Sequence, residues 1–343
     1  MKTKKEIKRM AYYKVDGENR NLVEEDWDFL IILDACRFDF FKELYMKKYK
    51  HIGGNLKKAI SPVTFTTDWL DKNFKGFYDD IVYISANPYI NSKVKGVASH
   101  GFEFDAKKHF FKVIDVWDWG WDHKLGTVPP RAVNEALFKA KSDYKNKRFI
   151  LHYVQPHTPY ISKNYIHYLE SYALEQYAKA REETRSRIVK RTSQKASQNK
   201  KLSFVNIRMS IGRIIEKTFG IQARWMISKL VGISPSSQPD AIGFKEGIKG
   251  LRKAYKENLD LVLEYVAELV ESISGKILIT ADHGEYLGEY GRYGHTLQPR
   301  RSPVIEVPWL IIEKEKSKQE EVTDKEINTI KEKVKRLKGS GKI

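Results

Sequence analysis

Short aliphatic runs recur along the chain, and several stop at an acidic or histidine-bearing turn. Asp28 to Leu33 (D-F-L-I-I-L) is a continuous apolar run of strand length ending at Asp34, and Phe38 to Tyr49 then takes up helical spacing. Asp80 to Ile84 is a further strand, broken by Asn87 and Pro88, and Arg148 to Val154 leads into Q-P-H-T-P-Y. Ile277 to Thr280 ends in Asp282 and His283, after which Gly284 permits a sharp turn. Val128 to Lys141 has a Pro-Pro start and helical spacing, and Gly243 to Glu271 is a long helix. Val304 to Ile312 is a last strand, and Pro308 within it suits a sheet edge.

Strand, acidic turn and helix in this rhythm predict an α/β fold, a three-layer sandwich with a mostly parallel central sheet and helices on both faces. Tyr165 to Ser237 departs from it. There Leu169 to Ile188 and Phe204 to Val231 are amphipathic and basic, joined by a polar linker, which predicts a basic helical insertion. The chain thus divides into a catalytic α/β domain over residues 1–164 and 239–315, an insertion over 165–238 serving as cap or surface-binding element, and a charged tail over 316–343. The Phe- and Trp-rich stretch from Val97 to Trp121 fits loops and short strands, with Trp117, Trp119 and Trp121 as packing residues.

The 343 residues carry 62 Lys and Arg against 44 Asp and Glu, a net charge of +18 that favours anionic partners. An anionic ester substrate leads, with an anionic membrane surface or a polyanionic glycan bound through 165–238; nucleic acid ranks lower, since no recognition module is evident. Oligomeric state is not encoded legibly. The lone Cys36 excludes an internal disulfide, and Met1 to Met10 lacks the apolar core of a signal peptide. A cytoplasmic protein, peripheral at the membrane if the insertion binds lipid, is the expectation.

The strand ends bring together chemistry that suits a divalent ion. Asp34 is compatible with both helix capping and ligation. Thr64, Thr66 and Thr67 stand before Asp68 at a helix start, where backbone N–H groups stabilise anions and a metal makes a hydroxyl nucleophilic. His157 lies in a turn fixed by Pro156 and Pro159, as ligand or proton donor, whereas His152, inside its strand, fits a satisfied core position. Asp282, His283 and His295 complete the set.

In I-I-L-D-A-C-R-F-D, T-F-T-T-D-W, Q-P-H-T-P-Y and T-A-D-H-G-E-Y-L-G-E-Y-G-R-Y-G-H, the chain resembles the alkaline phosphatase superfamily, and in particular its sulfatase-like branch of sulfatases, phosphodiesterases and phosphoethanolamine transferases. The motifs frame residues 29–312. The resemblance implies that Asp34, Asp282 and His283 bind a metal whose shell a threonine hydroxyl completes. His157 and His295 would hold a second ion or contact the transferred group, and Arg37 would bind substrate. Thr64-Phe65 resembles the T-x-P-S pattern, with Thr66 and Thr67 in place of its Pro and Ser, and Thr64 is the first choice as nucleophile; Thr66, closer to Asp68-Trp69, is the alternative.

Two departures shape the expected chemistry. The Cys or Ser of C/S-x-P-x-R is missing at the threonine position, and Ala35 follows Asp34 where sulfatases have paired aspartates. Both favour one or two zinc or manganese ions and phosphate-ester transfer or hydrolysis through a phospho-threonine. Sulfate-ester hydrolysis is the alternative, and a non-catalytic basic protein on a degenerate phosphatase scaffold is the alternative of another class.

Overall fold

The computed structural model describes residues 12–97, 103–169, 176–192 and 218–315. Its centre is a nine-stranded sheet in the order Glu18–Arg20, Tyr13–Val15, Asn55–Ile60, Glu306–Lys314, Gly275–Thr280, Phe29–Leu33, Arg148–Tyr153, Tyr78–Ser85, Phe110–Asp115. The last five run parallel to one another, and the first four join by antiparallel pairs. Every residue of Phe29–Leu33 is buried, so both faces of the sheet are covered there. That is why its strands read as unbroken apolar runs instead of alternating ones.

The parallel core matches the sequence expectation closely; the antiparallel half does not. Asn55–Ile60 carries two lysines and only one fully buried residue, and escapes a hydrophobicity reading. The strand bearing Pro308 is also not an edge: Glu306–Lys314 lies between Asn55–Ile60 and Gly275–Thr280. Pairing with Gly275–Thr280 ends at Trp309, and the Pro308 carbonyl accepts a 2.7 Å bond from the Thr280 hydroxyl. The proline nitrogen therefore faces past the end of its neighbour, where a missing donor costs nothing.

The long helix Gln238–Ser272 begins at Ser237, whose hydroxyl accepts from the Asp240 N–H, and breaks its helical geometry at Gly247, φ 65°. Its apolar stripe packs on the core, while its N-terminal part joins a second cluster. In that cluster Ile221 and Trp225 of the helix Ile221–Leu230 meet Tyr160, Tyr165, Tyr168 and Tyr255. The helix Gln176–Thr192 is held by its own basic residues: Arg181 donates to the carbonyls of Trp117 and Asp118 and covers the Trp121 ring, and Arg185 pairs with the Asp118 carboxylate. Part of the expected cationic face is thus spent inside the molecule. Trp117 is buried as expected, but Trp119 is 57% exposed and packs little. Residues 193–217, which hold most of the polar linker and the first half of Phe204 to Val231, and the tail at 316–343 lie outside the described residues.

Candidate metal centre

Phe29–Leu33 delivers Asp34 to the sheet's C-terminal edge, where Ala35 takes a positive φ of 58° and turns the chain away. For a non-glycine residue that conformation is strained and must be held by its surroundings. Tyr255, from the long helix, holds it: its hydroxyl donates to the Ala35 carbonyl at 2.8 Å and accepts from the Arg37 N–H at 2.9 Å. The Ala35 N–H donates to Oδ1 of Asp282 at 3.1 Å, and so the two strand-end aspartates are tied through one turn.

The proline-flanked loop is shaped by the same helix. Asn258 donates to the carbonyls of Pro156, His157 and Pro159 and accepts from the Ile161 N–H, which satisfies four backbone groups of a buried loop at once. Gln155–Pro156 and Thr158–Pro159 are cis peptides. The His157 N–H donates to the Asp34 carbonyl at 3.2 Å, bringing this loop onto the first strand end.

Asp34, Asp282, His283, His157 and His295 come together as expected. His283 Nε2 lies 3.5 Å from Oδ2 of Asp282 and 3.9 Å from Oδ1 of Asp34. Its Nδ1 lies 2.9 Å from the Gly284 carbonyl, which can only accept, so Nδ1 carries a hydrogen and the ring is held with Nε2 toward the carboxylates. The His295 ring is 4.3 Å from that of His283 and 5.8 Å from that of His157. Burial, with His283 and His157 nearby, pushes the His295 pKa well below its ordinary value. Burial also opposes charge on His157, but Asp34, Glu285 and the Thr158 carbonyl outweigh it and raise that imidazole.

The threonines separate. Thr66 opens the helix Thr66–Asn73, and its hydroxyl donates to Oδ2 of Asp282 at 2.6 Å. Thr64 instead donates to the Thr296 carbonyl at 2.9 Å, beside His295. Arg37 is engaged within the chain: it donates to both carboxylate oxygens of Asp39, to Glu289 Oε1 and to the Glu285 carbonyl, bracing the loop after His283.

Two residues were not legible as part of the site. Donor atoms of Asp34, His152 and Asp282 all lie within 4.8 Å of one another, a group able to hold a metal ion. His152 is therefore no ordinary core histidine: Nδ1 meets the Tyr83 hydroxyl at 2.6 Å, while Nε2, without a hydrogen-bond partner, lies 3.8 Å from Oδ2 of Asp34. The parallel register, Ile32 opposite His152, is the signal that would have placed it beside Asp34. Glu285 is fully buried and its Oε1 has no hydrogen-bond partner; burial pushes its carboxyl up to about 7. Burial would raise Asp34 too, but the imidazoles of His152, His157 and His283 hold it below the usual carboxylate range.

No family model matches the chain, and no curated protein sequence matches it either. Among solved structures, it is similar to the soluble domain of lipooligosaccharide phosphoethanolamine transferase A from Neisseria meningitidis, with 13% identity, a TM-score of 0.43, and 85% of this chain and 78% of that one covered. It is similar to the C-terminal periplasmic domain of EcEptC from Escherichia coli in complex with Zn, with 10% identity, a TM-score of 0.43, and 89% and 76% covered. It is similar also to BT1596, a 2-O GAG sulfatase, with 10% identity, a TM-score of 0.42, and 84% and 64% covered.

These are phosphoethanolamine transferase domains and sulfatases, the groups that the sequence motifs resemble. The expected cytoplasmic location is overturned by the periplasmic domains among them and is withdrawn. Its grounds were absences (no bilayer-length apolar run, no signal-peptide core in Met1 to Met10, a lone cysteine), and an absence names no compartment. Among the described residues no helix is long and apolar enough to cross a membrane.

Proposed function

We propose that this chain is a metal-dependent enzyme that transfers or hydrolyses phosphate esters, with the Thr66 hydroxyl as nucleophile. The observation that carries the reading is the 2.6 Å bond from Thr66 Oγ1 to Asp282 Oδ2, at a helix start and beside Asp34 and His283. The donor set suits a divalent ion: two buried carboxylates share their space with imidazoles that turn Nε2 toward them, an arrangement a cation between them would stabilise. Asp34, Asp282 and His283 would hold the ion, with His152 as a further nitrogen donor, and the mixed nitrogen and oxygen set favours zinc or manganese. When bound, it would lower the hydroxyl pKa and offset charge on the non-bridging phosphate oxygens.

The chain's own residues account for the remaining steps. Thr66 Oγ1 attacks phosphorus, its proton passing to the Asp282 carboxylate that already accepts it, as the bond from phosphorus to the leaving oxygen breaks in line. Backbone N–H groups of the first helical turn face the anion. His157, more basic than an ordinary imidazole, supplies the proton to the leaving oxygen. Water or an acceptor alcohol then attacks phosphorus, giving its proton to His157, and the bond from phosphorus to Thr66 Oγ1 breaks as that oxygen takes back the proton held by Asp282; the acceptor decides between hydrolase and transferase.

Thr64 is the second reading, favoured by the partial likeness of T-F-T-T to T-x-P-S and by its place beside the His295 loop. The test is turnover of phosphate monoesters, phosphodiesters and sulfate esters by protein loaded with zinc or manganese. Turnover of a phosphate ester is expected, falling about 10³-fold or more in Thr66→Ala and less than about tenfold in Thr64→Ala. Full activity in Thr66→Ala, or turnover of sulfate esters alone, overturns the assignment.

A further inference from the structure

The helix Ile221–Leu230 presents apolar side chains on two sides. Ile221 and Trp225, one turn apart, are buried in the tyrosine-rich cluster. At about 100° per residue, Met226 and Leu230 fall on the opposite side, and they are 61% and 79% exposed. Val231 just beyond the helix and Phe219 just before it are 63% and 72% exposed. The surface continues onto the loop that carries His295. Gly220 and Gly291 meet backbone to backbone, a Cβ on Gly220 lying 3.0 Å from the Gly291 Cα, which places Phe219 and Tyr290 on adjoining segments. Tyr290 is itself 60% exposed, with the Arg301 guanidinium 3.9 Å over its ring.

The exposed charge is cationic. In residues 218–239 Lys229 is exposed while Arg224 pairs with Asp240, and residues 290–302 contain Arg292, Arg300 and Arg301 and no acid. Large exposed apolar side chains between cations are the composition of an interfacial element, one that inserts its apolar tips among headgroups while Lys and Arg meet lipid phosphates. We infer that this face docks the protein on an anionic lipid bilayer, setting the loop of His295 against the surface. The inference stands apart from the proposed chemistry, since none of its residues belongs to the metal centre.

The test is co-sedimentation of the full chain with vesicles of phosphatidylcholine alone or with phosphatidylglycerol, in low and high salt. Salt-sensitive binding to the anionic vesicles is expected, reduced about tenfold or more in Met226→Asp/Leu230→Asp and by a smaller factor in Lys229→Glu. A water-soluble ester, if turned over by the wild type, should be turned over unchanged by the double variant, which also controls for folding alongside its circular dichroism. Equal binding by folded wild type and double variant, binding indifferent to phosphatidylglycerol, or sedimentation as a dimer that the double variant abolishes would each overturn it, the last by showing a second copy on this face.

Discussion

At the scale of the residue, Asp282 organises the site. Oδ1 accepts from Ala35 N–H and His283 N–H, and Oδ2 accepts from Thr66, so one carboxylate fixes both strand ends and the helix start. Asp282→Asn should keep the shape but lose the charge, and we expect metal affinity to fall by about 10-fold or more, read by titration with zinc. Glu285 offers a test by pH. Burial pushes its carboxyl up to about 7 from the ordinary 4.5, so between these values the folded state binds more protons and stability falls as pH rises. Glu285→Gln should remove that decline. In metal-free protein the unfolding free energy difference between pH 5 and pH 8 should shrink by on the order of 2–3 kcal/mol; an unchanged pH slope would refute the burial argument.

At the scale of the element, the long helix Gln238–Ser272 shapes the site without contributing a ligand. Tyr255 holds the strained Ala35 turn, and Asn258 holds the loop of His157. Asn258→Ala leaves several buried backbone groups without a partner, and a loss of about 2–3 kcal/mol in denaturant unfolding is expected. Asp34, Asp282 and His283 were legible because parallel strands write themselves as apolar runs whose ends are visible. His152 was not, because its partner is set by the register of a neighbouring strand, and a histidine inside a buried run has the pattern of core. Asn55–Ile60 was hidden by lysines that an antiparallel strand of mixed burial accommodates. The choice between Thr64 and Thr66 depends on two residues of helix phase, finer than spacing alone can decide.

At the scale of the whole molecule, the sheet supplies a rigid edge, and the insertion helix brings an apolar, cationic face against the loop of His295. A resident ion should also bind the fold together, since it relieves repulsion between Asp34 and Asp282. Removing it with a chelator should lower stability by about 3 kcal/mol if the ion is normally present at about 100 times its Kd, seen as a fall in Tm that added zinc or manganese restores. The central claim, phosphoryl transfer through Thr66, is tested most directly by acid-quenching the metal-loaded protein during turnover of a phosphate ester and mapping the phosphate by mass spectrometry. Phosphate on Thr66, missing in Thr66→Ala, is the expected result; phosphate on Thr64 alone, or turnover with neither threonine ever modified, would contradict it.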